Sequence, residues 1–69
     1  MKVYTTNIET KEQILIDLDT AYFMLKITTP SLDKDVLRRA LKNGAVFSNN
    51  PHNPKNIYHY NKAVDVLIF

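Results

Sequence analysis

Helical periodicity is clearest in residues 31–44, SLDKDVLRRALKNG. There Leu32, Val36, Leu37, Ala40 and Leu41 share one face at 3.6-residue spacing, and Lys34, Arg38 and Lys42 form the opposite stripe. Pro30 biases Thr29 towards an extended conformation, so the helix cannot begin much earlier, and Ser31 is placed to cap its first turn. Asp33 and Asp35 sit near the positive end of the helix dipole, Arg38, Arg39 and Lys42 towards the other end. Asp35 is spaced to pair with Arg39. Gly44, the chain's one glycine, follows as a left-handed stop.

The rest of the pattern is shorter in period. Val3 to Ile8 alternates as a strand, with Tyr4, Thr6 and Ile8 on one side and Val3 and Thr5 on the other. Residues 12–28, EQILIDLDTAYFMLKIT, fit two templates. As a hairpin turning at Asp19-Thr20, they place Ile14, Ile16, Leu18, Ala21, Phe23, Leu25 and Ile27 on one face. As a helix, they group Ile14, Leu15, Leu18, Tyr22 and Leu25, with Thr10 and Gln13 as a capping box. Ile16, Phe23 and Ile27 then fall on the opposite face, which a small domain struggles to bury. The hairpin is the preferred solution, although Asp-Thr is a poor primed turn. After the helix, residues 45–48 read as a short extended exit and NNPHNPKN (49–56) as a loop. Residues 57–60 and 63–69 read as two strands about an Asn61-Lys62 turn.

These elements predict a single α+β domain over 1–69, with a small, mostly antiparallel sheet in the order β-β-β-α-β-β. One amphipathic helix, about 31–43, packs on one sheet face. If residues 10–27 are helical instead, the order becomes β-α-α-β-β. The preferred order leaves a second sheet face, with Leu15, Tyr22, Met24, Tyr58 and Phe69, to water or to a partner.

Size sharpens this expectation. A chain of 69 residues buries only about 60% of its unfolded surface, so self-association is the remaining stabilising device once disulfides are absent. There is no cysteine, and two histidines alone cannot complete a structural zinc site. The start, MKVYTTNIET, lacks the apolar core of a secretory leader, and Ile14 to Leu25 is interrupted by Asp17 and Asp19. A cytoplasmic protein with no membrane partner is the expectation. Lysine outnumbers arginine, and Asn, Ile and Tyr are frequent, which fits an AT-rich coding sequence such as that of a low-GC bacterium or its phages.

The net charge of +2 conceals a division. Residues 36–64 carry Arg38, Arg39, Lys42, Lys55 and Lys62 with no acid, whereas Glu9, Glu12, Asp17, Asp19, Asp33 and Asp35 all precede them. Such a segment attracts phosphate or acidic protein surfaces, although most basic faces are simply solvated.

Catalytic patterns are scarce. Asp17 and Asp19 could act as paired carboxylates on a strand, but a solvated strand end explains them better. Ser31 and Ser48 have no evident base, and no phosphate loop, dinucleotide motif or metalloprotease helix occurs. His52, His59 and Asp65 match no ligand spacing. No enzyme, cofactor or metal is expected.

Two functions follow as expectations. The first is a non-enzymatic interaction module, self-associating, that regulates, inhibits or accompanies a larger protein. It would use Leu15, Tyr22, Met24, Leu67 and Phe69. The alternative is a nucleic-acid binder in which Lys34, Arg38, Lys42, Lys55 and Lys62 contact phosphates while Tyr58 and Tyr60 stack on bases.

Overall fold

The structure, a computed structural model, describes residues 1–49 and 55–62. In chain order the elements are β1 (Lys2–Asn7), β2 (Gln13–Asp17), α1 (Leu18–Thr28), α2 (Lys34–Lys42), β3 (Phe47–Ser48) and β4 (Asn56–His59). The strands form one sheet in the order β2-β1-β4-β3, with every neighbour antiparallel. The chain is thus an α+β fold, and the order of elements is β-β-α-α-β-β. The expected strand over 63–69 lies outside the described residues.

The first hairpin is closed by Asn7 and not by a glycine. Its side-chain Oδ1 accepts from the Glu9 and Thr10 backbone N–H groups at 2.9 and 3.0 Å, the arrangement that makes Asn a turn former. Lys11 completes the turn with φ 65°, a left-handed conformation that a lysine adopts at some cost. β2 then returns along β1, pairing Val3 with Ile16 and Thr5 with Ile14.

Residues 12–28 combine the two expected solutions. Their first half is a strand, but its partner is β1. Their second half is a helix and not a returning strand. Asp19-Thr20 supplies no primed turn, and the helical spacing of Leu18, Ala21 and Leu25 lets all three enter the core. Asp17 stands at the N-cap but makes no capping bond, because its carboxylate is held by Lys2 at 2.5 Å. The Lys2 hydrogen bond and charge hold the Asp17 carboxyl below its ordinary range.

α2 confirms the expected apolar face at Leu37 and Leu41, both buried, while Val36 is left half in water. Its cap is Asp33 and not Ser31: the Asp33 carboxylate accepts from the Asp35 and Val36 N–H groups at 2.8 and 3.1 Å. Asp also complements the dipole, which a neutral serine does not. Asp35 pairs with Arg38 at 3.0 Å, and Arg39 instead donates to the Asp35 carbonyl at 3.4 Å. At the far end Gly44 has φ 92°, the left-handed stop expected there.

One core joins these parts. Val3, Leu18, Ala21, Leu25, Leu37, Leu41 and Tyr58 form a single buried cluster, so both helices lie on the same sheet face. Tyr58 stands on β4, between β1 and β3, with its side chain wholly buried.

The capping geometry predicts different outcomes for two neighbouring residues. Asp33→Ala should lower stability by about 1 kcal/mol in urea denaturation, and Ser31→Ala should change it by less than about 0.5 kcal/mol.

Candidate interaction surface

Around α1 each residue advances about 100°. Leu18, Ala21 and Leu25 therefore point into the core, and Thr20, Phe23, Met24 and Ile27 make up the opposite stripe. Phe23 and Ile27 are 70% and 71% exposed, and Met24 is 36% exposed. A helix of 11 residues is apolar on two sides here while the domain supplies a core for one. The stripe extends on to the sheet, because Met24 and the 59%-exposed Ile14 line a common cleft of about 160 Å³.

The inner edge of this stripe is fixed from below. The buried Tyr58 hydroxyl donates to Met24 Sδ at 3.8 Å. Burial pushes the Tyr58 phenol above its ordinary pKa, and a hydrogen bond with Thr5 partly opposes that rise. The flank towards α2 is polar. Tyr22 is half-buried and its hydroxyl donates to the Leu32 carbonyl at 3.1 Å. Lys26 Nζ lies 5.3 Å from the centre of the Tyr22 ring, within cation–π range. Asp19 forms an ion pair with Lys34 across the helix pair.

The residues expected to form one protein interface are therefore dispersed. Leu15 lies on the helix-free sheet face, across from Tyr4 and partly covered. Tyr22 closes the seam between the helices, and only Met24 belongs to the outer stripe. Leu67 and Phe69 lie outside the described residues. Phe23 and Ile27, the most exposed large apolar side chains among the described residues, carry the stripe, whereas the hairpin reading places them in the core. Their signal in the sequence is the second apolar face that the helical pattern leaves over.

Three members of the basic set stay together on α2. Lys34 is paired with Asp19 and Arg38 with Asp35, while Lys42 is exposed and makes no ion pair among the described residues. Together Lys34, Arg38 and Lys42 line a groove of about 410 Å³, but Asp17 and Asp19 form its other wall. Lys55 and Lys62 are exposed. Tyr58 corrects the expectation directly, since a side chain with no exposed surface cannot stack on a base in the folded chain. Tyr60 packs partly buried against the core.

The helix-free face carries an aromatic pair of its own. The Tyr4 and His59 rings stack with centroids 5.4 Å apart, and Thr6 Oγ1 lies 3.3 Å from His59 Nε2. His52 falls outside the described residues. No group of three or more His, Cys, Asp or Glu residues that could hold a metal occurs among the described residues. Nor is any described helix long and apolar enough to cross a membrane. No protein-family model, no curated protein and no solved structure matches this chain.

The buried phenol gives a stability signature with a definite sign. A raised folded-state pKa means that Tyr58 releases its proton less readily when folded, so its contribution is complete below the unfolded value of about 10. The contribution is lost as pH rises through the folded value. Denaturation midpoints should therefore fall above about pH 10 in the wild type, with a smaller fall in Tyr58→Phe. Parallel pH profiles for the two chains would contradict the assignment.

Proposed function

We propose that this protein is a non-enzymatic interaction module that docks on a larger protein partner through the outer stripe of α1. The observation that carries the proposal is the exposure of Phe23 and Ile27 side by side, one turn apart on the same helix face. Burying a side chain of this size stabilises a complex by about 1.5–3 kcal/mol, so two adjacent ones supply a centre for binding. Contiguous exposed apolar surface of this kind marks association sites more often than it serves folding.

A structural role for the acidic groups supports the non-enzymatic part. Asp17 and Asp19, the candidate carboxylate pair, are each engaged by a lysine, Lys2 and Lys34 respectively. Asp17 closes β2 and Asp19 lies in the first turn of α1, so a change of element separates them. The remaining first-turn acid, Asp35, is occupied by Arg38.

Phe23→Glu and Ile27→Glu are the direct tests. Both side chains lie in water, so thermal midpoints should stay close to the wild type. Affinity capture from the native cell, with nuclease present, should recover a protein with the wild-type chain and lose it with either variant. Equal recovery by the wild type and both variants would contradict the proposal.

A further inference from the structure

The sheet ends at β2, which pairs with β1 and with no other strand among the described residues. The direction of its backbone groups follows from the bonds that flank it. Asn7 N–H donates to the Glu12 carbonyl at 2.8 Å and Leu18 N–H to the Met1 carbonyl at 3.0 Å. Both bonds fit the register that sets Val3 opposite Ile16. Bonded pairs alternate along an antiparallel ladder, so Ile14 and Ile16 turn their backbone groups towards β1. Gln13, Leu15 and Asp17 turn theirs outwards. The other side of β1 agrees: Ile8 N–H donates to the Lys55 carbonyl at 2.8 Å, which assigns Tyr4 and Thr6 to β4.

This edge lacks the usual guards against pairing. Gln13–Asp17 holds no proline, glycine or lysine, and Ile14, Leu15 and Ile16 fill its middle, with Ile14 59% exposed. Its one charge, Asp17, stands at the end of the strand and is neutralised by Lys2. We infer that β2 pairs edge to edge, antiparallel, with β2 of a second copy of this chain.

The strand's own order of residues names this occupant. A two-fold axis at Leu15 brings the outward-facing set on to itself, with Gln13 opposite Asp17 of the second copy and Leu15 opposite Leu15. Ile14 then faces Ile16, so each apolar side chain meets an apolar one and no like charges meet. Leu15 N–H donates to the Leu15 carbonyl of the second copy and Asp17 N–H to its Gln13 carbonyl, and the symmetry repeats both bonds. The Asp17 carbonyl is left to α1, as an N-cap carbonyl accepts the first helical bond. Two four-stranded sheets become one continuous sheet. A strand of five residues covers much less than the about 800 Å² per partner of a standard interface, so the pair is weak and concentration-dependent. The contact goes beyond the docking proposed above, because it uses the backbone of β2 and not Phe23 or Ile27.

Sedimentation velocity over a concentration series, joined to amide hydrogen exchange read by NMR, tests the inference. Wild-type chain should move from monomer to dimer. In the monomer the Ile14 and Ile16 amides should exchange slowly and those of Leu15 and Asp17 fast. In the dimer Leu15 and Asp17 should slow by about tenfold or more. Leu15→Pro removes an outward donor and spares the ladder to β1, a change that edge strands tolerate. It should keep the wild-type circular dichroism and stay monomeric, while Phe23→Glu should dimerise like wild type. The self-pairing is overturned by wild-type chain that stays monomeric throughout, or by a dimer whose Leu15 and Asp17 amides exchange as in the monomer. A folded Leu15→Pro chain that dimerises like wild type, or a Phe23→Glu chain that does not dimerise, overturns it as well. Should Leu15→Pro fail to fold, the wild-type exchange rates decide. The docking proposal survives any of these results if Phe23→Glu still abolishes capture of a different protein.

Discussion

A small sheet with two short helices on one face has a single interior, and that interior can take only one side of each helix. This constraint organises the whole molecule. α2 conforms to it, with Leu37 and Leu41 inside and a charged stripe outside. α1 exceeds it, because Leu18, Ala21 and Leu25 fill the inward side while Phe23 and Ile27 are left in water. Tyr58 marks the floor of the interior: it is buried on the central strand β4 and reaches Met24 with its hydroxyl. Much of the surplus apolar surface then appears on the outside of α1.

The same surplus explains where sequence reasoning succeeds and where it stops. α2 was legible because its apolar period, its terminal glycine and its charge distribution all indicate one helix. The cap was displaced, from Ser31 to Asp33, since two capping residues stand two positions apart and only the backbone decides between them. The side chain paired with Asp35 shifted from Arg39 to Arg38. Residues 12–28 were not legible as a unit. Leu18 belongs to both an alternating series with Ile14 and Ile16 and a helical series with Ala21 and Leu25. The pairing of β2 with β1 ends the first series at Asp17, and that is a tertiary fact. A search for a fully buried solution favours the hairpin because it gives Phe23 and Ile27 a core. The fold instead leaves them outside, and the proposed interaction surface lies where the sequence pattern is least self-consistent.

The charge division along the chain also changes meaning in three dimensions. Residues 36–64 contain no acid, yet Asp19 reaches Lys34 and Asp35 reaches Arg38 from outside that segment. Exposed pairs such as these add little to stability. Their effect is to lower the positive field of the stripe that phosphate would meet. The aromatic residues expected beside it are largely withdrawn: Tyr58 is in the core and Tyr60 leans on it. Basic stripe and aromatic platform thus fail to form one surface, whereas Phe23 and Ile27 stand exposed one turn apart on α1.

The most direct measurement of this account is solvent paramagnetic relaxation by NMR on the free chain, read at the Phe23 ring, the Ile27 methyls and the core methyls. An apolar stripe outside the core predicts strong relaxation at Phe23 and Ile27 and weak relaxation at Leu25, Leu37 and Leu41. Phe23 and Ile27 protected as fully as Leu37 would contradict it.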